Sequence, residues 1–165
     1  MFIINVLMKR DYTQRFGFLV NDVAKLYGEQ FDRLARERIG LTRAQCRLLG
    51  ALAMNGDDAT LSQTELAQRL DLSTMAVGGL CERLEAGGWI TRQPSPHDRR
   101  MNEVRLADSA GKALDGALTI GDALYARAVA DLAPDERAQL LGLLGKVRQS
   151  LLSLQAGDVK TEQQP

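Results

Sequence analysis

A mostly α-helical fold carrying one small β-hairpin is predicted by three observations. Apolar residues recur every three or four positions along most of the chain. Two short helical patterns meet at a break near residue 72, and two alternating segments then flank a loop rich in proline and arginine. The 165 residues suffice to bury a core and fit a single domain, here residues 12–154, with residues 1–11 and 155–165 expected to be flexible termini.

From Thr13 to Arg38 the stripe Phe16, Val20, Val23, Tyr27, Phe31 and Leu34 predicts a helix. At about 1.5 Å per residue it runs roughly 39 Å, too long for one small domain to cover. Thr42 and Gln45 stand at capping-box spacing and open a second helix, which Asn55-Gly56 stops. Ser62 and Glu65 repeat that spacing, so a short helix starts there with Leu66, Ala67 and Leu70 inward. The residues "DLS" interrupt its period, and Ser73 can cap another helix that buries Val77, Leu80, Cys81 and Leu84. Gly87-Gly88 ends it, and "WITR" and "NEVRL" then alternate as paired strands would. Asp108 or Ser109 can start a further helix along Leu114, Leu118, Tyr125, Val129 and Leu132. Pro134, followed by Asp135 and Glu136, suits the first turn of a last helix whose Leu140, Leu144, Val147, Leu151 and Leu154 approach a heptad seam.

This order is that of a winged helix-turn-helix, with a core at about 42–106 and long helices at about 13–38 and 108–154. Such a fold places its second short helix in the DNA major groove. Lys plus Arg equals Asp plus Glu at 21 each, so any nucleic-acid signal must be local. In the hairpin, Arg92, Arg99, Arg100 and Arg105 stand against Asp98 and Glu103: four cations, two anions, a local charge of +2. Pro94 and Pro96 restrict the loop, so an arginine at its tip loses less entropy on entering a groove. The negative potential of a narrow minor groove attracts guanidinium groups, and Asp98 can aim Arg100 through a fork contact. A merely solvated turn would have the same composition.

Three segments, "IGLTRAQCRLLGALA", "LSQTELAQRLDLSTMAVGGLCERLEAGGWITR" and above all "PSPHDRRMNEVRL", make the chain resemble the MarR/SlyA-like winged helix-turn-helix transcription regulators from about Tyr12 to Leu154. The resemblance implies a homodimer on double-stranded DNA, its first and last two helices serving as interlocked dimerisation helices. It implies that Arg100, beside Arg99 and steadied by Asp98, reaches the minor groove, and that Ser73 and Thr74 open the recognition helix. Ser62 and Thr64 would meet phosphate. It further implies a repressor on a pseudo-palindromic operator, released by a small aromatic or phenolic effector, with Phe16, Tyr27 and Cys46 as lining. Ordinary core packing is the alternative for those three. One departure stands out: Ala76, Val77, Gly78 and Gly79 occupy the middle of the recognition helix, where many relatives carry polar or basic side chains. The glycine pair costs up to about 2 kcal/mol of helix stability, in exchange for close approach to DNA or for packing room. Base reading then falls to Thr74, with Met75 or Ala76 against a thymine methyl, and the wing and DNA shape carry an unusual share of specificity.

Enzymatic readings find little material. His97 is the only histidine, and neither a GxSxG elbow nor a phosphate-binding glycine loop is present, so no catalysis, metal or cofactor is expected. No run approaches the roughly 18 apolar residues of a membrane span, and a cytoplasmic protein is expected. Cys46 and Cys81 fall on apolar stripes, which favours packing, with a cysteine-based redox-sensing regulator as the competing reading. From a different class, a winged protein-interaction module docking an acidic partner is the remaining alternative.

Overall fold

The computed structural model describes residues 12–56, 60–95 and 102–161. In chain order the elements are α1 (Phe16–Ile39), α2 (Arg43–Ala53), β1 (Leu61–Ser62), α3 (Gln63–Leu70), α4 (Thr74–Ala86), β2 (Ile90–Pro94), β3 (Asn102–Leu106), α5 (Ala110–Ala128) and α6 (Pro134–Thr161). They form two compact units, the border falling after Leu124 within α5.

In the first unit the helix starts follow local chemistry. Thr42 accepts from the Gln45 amide at 3.2 Å while its own amide donates to Gln45 Oε1 at 2.8 Å, so two orphan donors of α2 are satisfied reciprocally. Gly40, left-handed at φ 68°, ends α1 and turns the chain into that cap. The core gathers Leu48, Leu49 and Leu52 of α2, Leu66 of α3, Val77, Cys81 and Leu84 of α4, and Ile90 and Val104 of the sheet, all almost fully buried. The sheet is antiparallel in the order β1-β3-β2, with Val104 opposite Leu61 on one side and Arg92 on the other. The pairing of β2 with β3 is the expected hairpin. β1 was not foreseen: at two residues it is too short for alternation to show, and Ser62 doubles as the cap of α3.

On α5 the inward line is Ala113, Leu114, Ala117 and Ile120. Leu118, expected on that line, is 66% exposed, because the buried face runs through 113, 117 and 120 instead. Gly116 lets α5 close on the end of α1: a β-carbon there would stand 2.6 Å from Ile39 Cγ2. The stripe of α1 changes character along its length. Leu34 and Ala35 are buried, whereas Phe16, Val20 and Val23 are 60%, 42% and 63% exposed.

In the second unit Pro134 opens α6 as expected, the amide of Ala133 donates to Glu136 Oε2 at 2.7 Å, and Arg137 Nε donates to the Leu132 carbonyl at 2.9 Å. The helix continues to Thr161 rather than ending near Leu154. No proline interrupts that stretch, and the about 1 kcal/mol cost of Gly157 is too little to stop it. Leu144, Leu151 and Leu154 of the predicted seam are 49%, 53% and 64% exposed. Among the described residues no helix is long and apolar enough to cross a membrane.

Candidate nucleic-acid interface

The helix-turn-helix is built from two caps and one strained turn. At the start of α3 the Ser62 amide and hydroxyl both donate to Glu65 Oε2 at 2.8 Å, and the hydroxyl accepts from the Glu65 amide at 3.2 Å. The Ser62 amide, and then its hydroxyl, hold the Glu65 carboxyl below its ordinary value. Ser62 is therefore buried with its hydroxyl committed inside the protein, while Thr64 is exposed. Asp71 takes the left-handed conformation at φ 54°, which Asp tolerates better than most residues, and the Leu72 amide returns to the Ala67 carbonyl at 3.0 Å. Ser73 then caps α4 by accepting from the Ala76 amide at 3.2 Å.

α4 has two faces of opposite character. Val77, Leu80, Cys81 and Leu84 are buried. Thr74, Met75 and Ala76 are exposed, Met75 to 87%. Between them Gly78 presents bare backbone, with no atom of the described residues beyond its own turn of helix within 4 Å of where a β-carbon would stand, and Gly79 meets, among the described residues, only the guanidinium of Arg83. Of the two uses for this pair, packing room therefore finds no packing partner among the described residues.

The wing base is tied to the recognition helix by an ion pair that counting charges within the loop missed. Arg92 donates to Glu85 Oε2 from Nε at 2.8 Å and from Nη2 at 2.6 Å, and its amide donates to Oε1 at 3.2 Å. The hydrogen bond from Arg92 holds the Glu85 carboxyl below its ordinary value and raises Arg92 in turn. Arg92 is thus neutralised by a residue on α4 and does not add to the free charge of the wing. Glu103 accepts from Ser95 Oγ at 2.8 Å and from Thr60 Oγ1 at 3.1 Å, which joins both sheet edges. Arg105 is exposed. His97, Asp98, Arg99 and Arg100 lie outside the described residues.

A family model described as the MarR family matches residues 39–101, from the end of α1 through β2. Over that span the chain resembles the MarR family of transcription regulators. It is 29% identical over 137 residues to the transcriptional repressor NicR of Pseudomonas putida, covering 83% of this chain and 84% of NicR. It is 29% identical over 114 residues to the transcriptional repressor MdtR of Bacillus subtilis, covering 69% and 72%. The crystal structure of a mutant MarR from E. coli complexed with operator DNA superposes with a TM-score of 0.67 at 25% identity, over 84% of this chain and 99% of that one. That neighbour was crystallised on its operator DNA.

The residues expected to line an effector site are placed differently from one another. Phe16 is exposed, Tyr27 donates its hydroxyl to the Gly121 carbonyl at 3.2 Å, and Cys46 is buried. A cavity of about 660 Å³ opens between α1 and α2, and none of the three lines it. Its walls include Lys25, Asp32 and Arg43, with Gly28 as floor; a β-carbon on Gly28 would stand 2.7 Å from Arg43 Cζ, so the glycine is what lets that guanidinium lie flat on α1. Asp32 accepts from Arg36 Nε and from the Arg43 amide, each at 2.7 Å, and the Arg36 side chain foremost holds its carboxyl below the ordinary value. Burial pushes the Cys46 thiol up to about 11 and raises Cys81 as well, which keeps both in the unreactive thiol form at neutral pH.

Proposed function

We propose that this protein is a cytoplasmic MarR-family repressor that grips a pseudo-palindromic operator as a homodimer and leaves it when a small aromatic or phenolic anion binds. It acts by occupancy, without catalysis. The observation that carries the reading is α4, whose Thr74, Met75 and Ala76 stand exposed and whose Gly78 has no neighbour among the described residues, while its inward face is wholly committed to the core. Repression is the function named for NicR and MdtR. A second copy would cover the exposed apolar residues of α1 and of α6.

On this reading Thr74, Met75 and Ala76 meet base edges, Ser73 positions them, and Thr64 meets phosphate. Arg99 and Arg100, supported by Asp98, occupy the minor groove. Ser62 acts through the cap it forms, its hydroxyl being engaged by Glu65. The effector binds at Arg43, whose guanidinium has no hydrogen-bond acceptor among the described residues and suits a carboxylate in fork geometry. Phe16, Tyr27 and Cys46 join the pocket only where a partner copy extends it.

Selection from a randomised duplex library, with gel-shift on the recovered fragments, tests the proposal. A palindromic motif should emerge with half-sites roughly 34 to 36 Å apart, and binding should weaken steeply with salt. A strictly monomeric protein, or one that no duplex retains in dilute buffer, would overturn it. Arg100→Ala should weaken binding while leaving the circular dichroism spectrum unchanged. Hydroxybenzoates should release the wild type from DNA and leave Arg43→Ala bound.

A further inference from the structure

Gly79 and Arg83 stand one helical turn apart on α4. A β-carbon built on Gly79 would lie 3.5 Å from Arg83 Nη1 and 3.9 Å from Nη2, so the Arg83 side chain folds back toward the helix N-terminus and rests its guanidinium over the bare backbone of Gly79. Arg83 is exposed, and no carboxylate or carbonyl among the described residues accepts from its guanidinium. The fold-back carries the charge from the third turn of α4 to the second, beside the half-buried Gly78 and just behind Thr74, Met75 and Ala76. That stretch enters the major groove when a recognition helix docks by its N-terminal end. Among the described residues neither glycine serves packing: nothing lies within 4 Å of a β-carbon on Gly78, and only Arg83 lies near one on Gly79. The slot is shaped for the arginine.

We infer that Arg83, laid across Gly79, is a base-reading residue of this protein and selects a guanine in each half-site. The inference rests on the DNA-binding reading of α4. An arginine fork matches the N7 and O6 acceptors that guanine alone presents together in the major groove. The short side chains at Thr74 and Ala76 and the bare helix at Gly78 and Gly79 would let α4 sit deep enough for the fork to reach the groove floor. The reading face, whose polar side chain is otherwise the Thr74 hydroxyl, then contains one charged hydrogen-bonding fork, supplied from a position one turn farther along.

The test compares the wild type, Arg83→Ala, Arg83→Lys and Gly79→Leu by selection from a randomised duplex library, followed by competition binding on the recovered fragments and on single-base variants. Wild type should discriminate one G·C pair per half-site by roughly 5- to 150-fold, the range of a good bidentate contact. Arg83→Ala should lose that preference and no other. Arg83→Lys should retain the salt dependence while losing most of the discrimination, since a point charge cannot reproduce the fork. Gly79→Leu should weaken the same preference with Arg83 intact, because its side chain occupies the slot. An unchanged motif in Arg83→Ala overturns the inference and leaves the DNA-binding reading standing. Uniform weakening on selected and random duplexes alike, with the log-log salt slope reduced by about 1, marks a phosphate contact and also overturns it. A wild type that recovers no motif at all brings down both.

Discussion

The winged core and the long helices treat apolar residues in opposite ways. In the core every large apolar residue of α3 and of the inner face of α4 is buried, and each helix start is closed by a side-chain cap. Along the first half of α1 and along α6, by contrast, leucines, valines and phenylalanines of equally regular spacing stand open. The difference teaches that helical periodicity reports a face needing cover without saying whether this chain or a second copy supplies it. The largest effects should therefore divide along that line. Leu84→Ala, at a position fully buried among α2, α4 and the sheet, should destabilise by about 2–5 kcal/mol in a urea melt, whatever the protein concentration. Leu144→Asp combined with Leu151→Asp, both in the open stripe of α6, should instead shift the sedimenting species toward monomer. The wild-type melting temperature should rise with concentration and that of the double variant should not. A concentration-independent wild type would sink the assignment of those faces to a partner.

Next in size are the caps. Thr42→Ala and Ser62→Ala should each cost about 1 kcal/mol, since each removes one side of a reciprocal box. These boxes show what was legible in the sequence. A serine or threonine three residues before a glutamate or glutamine is a local signal, and the structure satisfies both by the expected atoms. The buried quartet of α4 was legible for the same reason, because one helical period fixes its face. Contacts across the fold were not. Glu85 sits in a helix and Arg92 in a strand, so counting charge within the hairpin loop gave +2 where a helix residue cancels part of it. β1 carries two residues and no period, and Leu118 lies one position off the line that a single chain buries. The slot at Gly79 also escaped, although a glycine one turn before an exposed arginine was present in the sequence to be weighed.

The glycines offer an effect of opposite sign. Gly78→Ala places a methyl in open space, so the folded protein should gain about 0.5–1 kcal/mol from the lower entropy of its unfolded chain and from better helix propensity. If α4 approaches DNA closely at this point, the same variant should bind the selected operator more weakly while melting at a higher temperature. Stability and affinity would then move apart. A variant that gains both would show that Gly78 has no role in close approach and that the reading face tolerates a side chain there.

The smallest effect belongs to the joint between wing and recognition helix, and pH separates it from the rest. Arg92 holds the Glu85 carboxyl below its ordinary value of 4.5, so the pair contributes its stability above the unfolded carboxyl's titration and loses it as pH falls through the lower folded one. With Arg92 24% and Glu85 37% exposed at the side chain, solvent screening limits the contribution to less than about 1 kcal/mol. Glu85→Gln should therefore lower the urea midpoint slightly at pH 7, and the gap from wild type should narrow as pH drops below about 4.5. The Asp32 and Glu65 carboxyls are lowered as well and shift wild type and variant together, so the difference between the two proteins isolates Glu85. A gap that stays constant down to pH 3 would mean that the variant loses packing at the wing base instead of an ion pair. If the joint holds the wing at a fixed angle to α4, operator affinity at pH 7 should fall further in Glu85→Gln than in a surface variant such as Glu82→Gln, which leaves Arg92 paired.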